Sequence, residues 1–279
     1  MATASQLHYF AALARVVDEL GRNDFWPTAC DFLEHVCPLD EVAVFQYVWS
    51  EHPERLYDRK PTRERDRLHG ELLSAAYLIG PYYNRVVKAQ ADTGFYPIDA
   101  IAPEGFRDSE YYKIYFREKR AADEGMFYAP FEPGIAIGLL VERRLPSPAF
   151  TAAELETCQA TAPLVAALVR RHRSLGNSIS RHRPQVGDQM VTALECFGRD
   201  VLSKREREIA ELILRGHSSK SGARELGISP ETERVHRKRL YHKLAISSQS
   251  ELFWLFIQSV EHFDPVTHND PLRSMLESR

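Results

Sequence analysis

The sequence predicts two domains of different class: an α+β N-terminal domain built on a central antiparallel sheet with flanking helices, and an all-α C-terminal domain of four helices. Three observations predict this. Strand-like and helix-like segments alternate over the first 175 residues and close with a hairpin and a long helix. Residues 174–190 (SLGNSISRHRPQVGDQM) are polar and hold Gly, Ser and Pro. Residues 202–244 then contain helix starts and stops at short intervals with no strand signal. The expected divisions are 1–175, a linker at 176–196, a helical domain at 197–262 and a loosely ordered tail at 263–279.

In the first domain, apolar residues at Leu7, Phe10, Leu13, Val16 or Val17 and Leu20 predict an amphipathic helix ending at Gly21. Pro27 opens a second helix that stops before Cys37-Pro38. The β-branched and aromatic run Glu41–Ser50 predicts a strand, with Glu54–Arg59 as its partner. Residues 64–90 suit helix broken at Gly80-Pro81, and Ser109 caps another helix to Lys119. Met126–Glu132, Pro133-Gly134 and Ile135–Arg143 read as strand, turn and strand. Thr151, with Glu154 three residues on, caps a helix reaching about Arg173.

In the second domain, Ser203 and Glu206 have capping-box spacing, and Ile209, Leu212 and Ile213 give one apolar stripe before Gly216. A short helix begins near Ser218 or Ser219 and ends at Gly227. Ser229-Pro230 starts a third helix to about Leu244, carrying Arg234, Arg237, Lys238, Arg239 and Lys243. Leu252, Leu255 and Phe256 suit a fourth, covering helix. Two short helices joined by a glycine turn, the second crowded with cations, describe a helix-turn-helix unit that lays its second helix in a DNA groove.

Charge placement agrees. The whole chain of 279 residues has a formal net charge of −3, yet residues 202–252 hold eleven Lys/Arg against seven Asp/Glu, leaving 25 basic and 32 acidic residues elsewhere. A basic module on an acidic body fits directed DNA binding with little unspecific adhesion. No apolar run approaches 18 residues and the N-terminus lacks a basic-then-apolar leader, so a soluble cytoplasmic protein with no membrane partner is expected. The four cysteines show no Cys-x-x-Cys pairing; Cys30 and Cys37 are seven apart, and all are expected as buried free thiols. His35, His52, His69 and His182 lack ligand spacing, and no nucleophile elbow, phosphate loop or carboxylate pair stands out. No metal, cofactor or catalysis is expected.

The run from Leu202 through Arg205-Glu206-Arg207-Glu208, Gly216, Ser219-Lys220, Ala223, Leu226-Gly227-Ile228-Ser229-Pro230, Thr232, Val235-His236, Arg239, Tyr241-His242-Lys243-Leu244 to Ser248 resembles the LuxR-type (GerE-like) DNA-binding domain of bacterial transcription regulators. The resemblance implies that Arg234, Val235 and Lys238 face base edges. It makes Ser219, Lys220, Thr232, His236, Arg237 and Lys243 phosphate contacts, with Arg239 open between DNA and a bond to Glu206 or Glu208. Two positions depart from the family, Gly222 and Glu233, where it places apolar side chains; Glu233 is expected near DNA or a dimer partner. A homodimer on a two-fold-related duplex site is expected, because one such module buries little surface. RNA polymerase remains open as a further partner.

The first domain resembles GAF-, PAS- and autoinducer-binding sensor domains in layout only. It lacks the acidic pair after an initial strand that a phosphoacceptor domain needs, since Asp40-Glu41 precedes the strand. An acyl-homoserine-lactone domain should show Trp-x3-Tyr and a nearby Asp-Pro; Trp49 and Tyr57 have the wrong spacing. Tyrosines and phenylalanines are dense between 77 and 131, and Tyr combines apolar area with a polar tip. Tyr82, Tyr96, Tyr111, Tyr112, Tyr115 and Phe127, with Asp123 and Glu124 ahead of the hairpin strand, are the expected lining of a pocket for an unidentified small-molecule effector. The rival readings are control by a protein partner without a small ligand, and an enzyme fused to a DNA-binding domain.

Overall fold

The computed structural model describes residues 4–48, 53–62, 76–117, 120–132, 134–176, 187–264 and 266–278. Helices α1 (Ala4–Asp18) and α2 (Phe25–Val36) lead into β1 (Glu41–Val48) and β2 (Glu54–Asp58). The next strands are β3 (Gly94–Pro97), β4 (Ala121–Glu132) and β5 (Ile135–Arg144), followed by α3 (Ala152–Leu175). The five strands form one antiparallel sheet in the order β2-β1-β5-β4-β3.

Both faces of this sheet are covered. Val42 and Val44 of β1, Phe127 of β4 and Leu139 of β5 pack with Phe25 and Phe32 of α2 and Val165 and Val169 of α3. The alternate residues Ala43, Phe45, Met126 and Leu140 face Tyr77, Tyr82, Tyr111 and Tyr115. Burial on both sides explains why β1 and β5 read as continuous apolar runs and not as alternation. The capping box at Thr151 and Glu154 forms as expected, and Arg143 anchors it by donating to Glu154 Oε1 at 2.6 Å. That guanidinium and the Thr151 N–H hold the Glu154 carboxyl down at about 2.

The C-terminal part is α4 (Gly187–Cys196), α5 (Lys204–Leu214), α6 (Ser219–Glu225), α7 (Pro230–Leu244), α8 (Gln249–Val260) and α9 (Pro271–Glu277). The caps expected at Ser203 and Ser229 are present, and Ser218 and Ser248 cap their helices in the same way: each accepts a backbone N–H from the first turn of its helix.

Several expectations need correction. Asp123 and Glu124 do not precede the strand but lie inside it, because β4 starts at Ala121. β3 was not foreseen; its four residues carry Gly and Pro and so lack a strand signature. The helix expected over 64–90 lies partly outside the described residues; the remainder is two short turns, Ala76–Ile79 and Tyr83–Val87, separated at Gly80-Pro81 as expected. On α1, Ala12 and Val16 are buried but Leu7 and Phe10 stand out in solvent, since the helix packs along a narrow line on α2. The second half of the expected linker is helix α4, whose Ala193 and Cys196 are buried; residues 177–186 lie outside the described residues.

The tail is also ordered. The Asp270 carboxylate is buried and accepts from Gly198 N and Asp200 N at 2.8 Å and from Leu272 N at 3.0 Å, tying α9 to the loop before α5. The four thiols are free and buried, and Cys37 lies just beyond the helix that carries Cys30. α2 stops at Val36, the chain extends, and Cys37 Sγ meets Cys158 Sγ of α3 at 3.3 Å.

Candidate functional site

α7 has two faces with different jobs. Glu233, Leu240 and Leu244 point inward, one or two turns apart. On the opposite side Thr232, Arg234, Val235, Lys238, Arg239 and His242 are exposed, and Val235 is 50% accessible. An apolar side chain left in solvent between cations suits contact with base edges and thymine methyl groups. The N-terminus of α7 is fixed by Ser229, whose Oγ accepts Thr232 N at 3.1 Å.

The expected DNA residues therefore separate into two groups. Lys220 and Lys238 are exposed, Ser219 and His236 half-buried. Among the described residues Arg234 pairs with Glu231 at 3.8 Å, with both side chains largely in solvent, a pairing of little strength. Arg237 and Lys243 are already occupied. Arg237 donates to the buried Glu233 from Nε at 2.8 Å and Nη2 at 2.7 Å. Lys243 Nζ lies 3.2 Å from Glu206 Oε2. Burial works against the Glu206 charge, but the Ser203 backbone N–H and Lys243 hold its carboxyl below the usual range. Glu206 thus takes Lys243 and not Arg239, while Glu208 pairs with Arg205. Glu233 is turned into the bundle and not toward DNA.

The N-terminal domain holds a cavity of about 40 Å3 between β1, β5 and the turns around Tyr82 and Tyr115. Tyr82, Tyr111, Tyr115 and Glu124, four of the residues proposed from the sequence for a ligand pocket, line it. Both Tyr83–Val87 and Lys113–Arg117 are turns of wide, π-type helix, a form that recurs at functional sites. Through the first of them both Tyr82 and Tyr83 reach the cavity. A second cleft of about 360 Å3 adjoins it, and Tyr47 and Tyr83 line both. Burial drives the Tyr82 and Tyr111 hydroxyls well above the ordinary phenol range, with the Glu124 charge adding to it, so both stay neutral donors. The Tyr82 hydroxyl is fully enclosed and has no hydrogen-bond partner among the described residues.

The other expected lining residues lie elsewhere. Asp123 accepts Glu124 N at 2.8 Å and Phe150 N at 3.0 Å, a structural clasp. Phe127 packs on the opposite face of the sheet, its ring 4.7 Å from that of Phe95. Tyr96 donates to Asp92 O at 2.7 Å, and Tyr112 stacks outward on Phe116. Sequence reasoning missed Phe45, Tyr47 and Leu140 of β1 and β5. Alternation along those strands, counted from one known cavity residue, would have found them.

Among the described residues no cluster of three His, Cys, Asp or Glu could hold a metal ion, and no helix is long and apolar enough to cross a membrane. Residues 200–256 match the luxR family of bacterial regulatory proteins, so the C-terminal unit is a LuxR-type helix-turn-helix domain. An HTH-type transcriptional regulator in the exeN 3′ region of Aeromonas salmonicida is 29% identical over 164 residues, covering 57% of this chain and 84% of that protein. The transcriptional regulatory protein UhpA of Escherichia coli is 48% identical over 54 residues, 19% of this chain and 28% of its own length. The crystal structure of the VqsR LBD domain from Pseudomonas aeruginosa aligns with a TM-score of 0.53 at 22% identity, over 61% of this chain and 99% of that domain. The α+β N-terminal domain shares that fold.

Proposed function

We propose that this chain is a LuxR-type transcription regulator that binds a two-fold-related duplex site through α7 as a homodimer, and that a small molecule held in the tyrosine-lined cavity sets its DNA-binding state. Arg234, Val235 and Lys238 read base edges. Ser219, Lys220, Thr232 and His236 take phosphates, while Arg237 and Lys243 hold α7 in place through Glu233 and Glu206.

The observation that carries ligand control is the buried hydroxyl of Tyr82 beside the cavity, which has no hydrogen-bond partner among the described residues. A buried polar group without a partner is rare and costs about 1–3 kcal/mol, so a fold keeps one where something else supplies the bond. The inner cavity is small: one water needs roughly 10–15 Å3. It therefore takes a polar head group that accepts from Tyr82 and approaches Glu124 with a donor, while the body of the ligand fills the adjoining cleft beside Tyr47 and Tyr83. Such a ligand shifts the DNA-competent population only through different affinity for the two arrangements, and the coupling is reciprocal.

The test is a thermal-shift screen of the full chain against small polar amphiphiles, repeated on Tyr82→Phe and on Leu140→Trp, which fills the cavity. A compound that stabilises the wild type and loses its effect in both variants supports the reading. Stabilisation that survives both variants, or a screen with no hit, overturns it in favour of control by a protein partner.

A further inference from the structure

The two domains meet at one place where charge, hydrogen bonding and backbone shape converge. The Glu104 carbonyl accepts Ser218 N at 2.9 Å and the Ser221 hydroxyl at 2.8 Å. Its carboxylate lies 3.4 Å from Arg224 Nη2 and 3.9 Å from Lys220 Nζ. Gly105 follows in the left-handed region at φ 102°, and a Cβ there would stand 2.7 Å from Ser218 N. Gly216, at φ 87°, faces back: a Cβ on it would come within 3.2 Å of Phe106 Cα and Ser109 Cβ. Gln249 Nε2 donates to the Asp108 carbonyl, and Arg85 pairs with Glu225 at 3.6 Å. Two glycines at mandatory positive φ, one from each domain, let the backbones approach this closely. The contact is therefore specific to this docked arrangement.

In a helix-turn-helix the first helix crosses the DNA backbone while the second enters the groove, and phosphates are taken by Lys, Arg and hydroxyl side chains. Here that first helix is α6, and its Lys220, Ser221 and Arg224 are engaged by one residue of the other domain. Glu104 presents to α6 the chemistry of a phosphate: an anion beside two cations and an oxygen on a hydroxyl. α7 meanwhile keeps its outer face open.

We propose that residues 104–109 are an internal competitor for DNA, with Glu104 holding the α6 surface that a DNA strand would take, so that the docked chain binds DNA weakly until this segment lets go. The proposal rests on the reading of α6 and α7 as the DNA-contacting pair. It also gives the cavity a route to DNA. Ser109 caps the turn that follows, and Tyr111, Tyr115 and Phe116 of that turn line the cavity. Whatever moves those rings moves the segment that carries Glu104.

The ion pairs are solvent-exposed, with about three-quarters of the Lys220 and Arg224 side chains accessible, so each is weak. Neutralising Glu104 should therefore tighten DNA binding by roughly three- to tenfold and no more. The experiment compares wild type, Glu104→Gln and Gly105→Ala as full chains binding a short random-sequence duplex at low salt, because the contacts in question are sequence-independent. Gly105→Ala leaves the charge unchanged and drives a Cβ into Ser218, so it separates undocking from the mere loss of a negative charge. Small-angle scattering reports whether the domains part, and a melting curve reports that each variant is folded.

Tighter binding in both variants, with greater domain separation in Gly105→Ala, is the expected result. Two folded variants that bind no tighter than wild type overturn the competition. If Gly105→Ala parts the domains while affinity stays put, docking is real and does not compete with DNA. Failure of every form to bind DNA removes the reading of α6 and α7 and this proposal with it.

Discussion

Gly222 and Glu233 face each other where α6 crosses α7: a Cβ on Gly222 would lie 4.0 Å from Glu233 Oε1. These are the two positions at which the chain departs from the LuxR-type pattern of apolar side chains. The missing side chain on α6 provides the space that the carboxylate on α7 uses, and Arg237 neutralises it from one turn further on. Separately, each substitution would damage the bundle; together they exchange an apolar contact for a buried ion pair.

This relationship fixes the response to substitution. The neighbours of a Cβ at Gly222 are at 3.8–4.0 Å, ordinary contact distances, so Gly222→Ala should stabilise the domain by up to about 1 kcal/mol. Gly222→Ile alone should destabilise it by crowding Glu233, and Gly222→Ile with Glu233→Leu should restore it. Arg237→Ala should cost about 3–5 kcal/mol, because it strands a buried carboxylate. Urea unfolding of these four variants and of Glu233→Leu alone checks the set. Additive effects of Gly222→Ile and Glu233→Leu would show that the two positions do not communicate.

The helix-turn-helix was legible because caps and glycine turns are local signals. Ser203, Ser218, Ser229, Gly216 and Gly227 each announce an end that nothing distant can shift. The partners chosen at longer range were not legible: Glu206 could reach either Arg239 or Lys243, and only the rotation of α7 decides for Lys243. In the N-terminal domain the sequence pattern starts β4 five residues late, and it is the register of the sheet that turns Asp123 and Phe127 to the face opposite the cavity. Tyr82, Tyr111, Tyr115 and Glu124 were identified by composition, whereas Tyr47 and Leu140 required knowing which strands lie side by side. Nothing in the sequence around Glu104 marks it as a contact to a helix more than a hundred residues away.

Lys238 and Lys220 should separate in DNA binding. Lys238 stands on the open face of α7 beside Val235, so Lys238→Ala should lower affinity for a selected site by about 1–3 kcal/mol and relax preference at one base pair. Lys220 is on the flank, so Lys220→Ala should weaken all sequences alike and reduce the salt slope by about one. Titrations on selected and random duplexes at several salt concentrations check both. Equal losses on the two duplexes for Lys238→Ala would remove its base-reading role.

Tyr82→Phe should separate stability from response. Removing an enclosed hydroxyl that has no partner among the described residues should raise the melting stability of the ligand-free chain by about 1 kcal/mol, since the cost of burying it disappears. The same change should abolish stabilisation by the effector. A loss of stability in the ligand-free variant would mean that the hydroxyl is satisfied in solution and that the cavity is not waiting for a ligand group.

Acid should loosen the grip of α3 on the first two helices through His172. Its ring stacks on Phe25 with centroids 3.8 Å apart, and its Nδ1 accepts Gly21 N at 3.1 Å. The bond from Gly21 requires the neutral imidazole, because protonation of Nδ1 removes the lone pair that accepts it. Burial, with Arg173 adding to it, lowers the His172 pKa to about 4. In the unfolded chain the group titrates near the ordinary value of about 6.5. Between these values the unfolded chain binds a proton that the folded chain refuses, so the His172 contribution is complete above about 6.5 and is lost as pH falls to about 4. Glu154, held at about 2, loses its own contribution mostly lower on the scale, which leaves this window to His172 among the two. His172→Phe keeps an aromatic stack on Phe25 but cannot titrate. The wild-type melting temperature should therefore fall more steeply than that of His172→Phe from pH 6.5 to 4, and parallel curves would assign the acid sensitivity to another group.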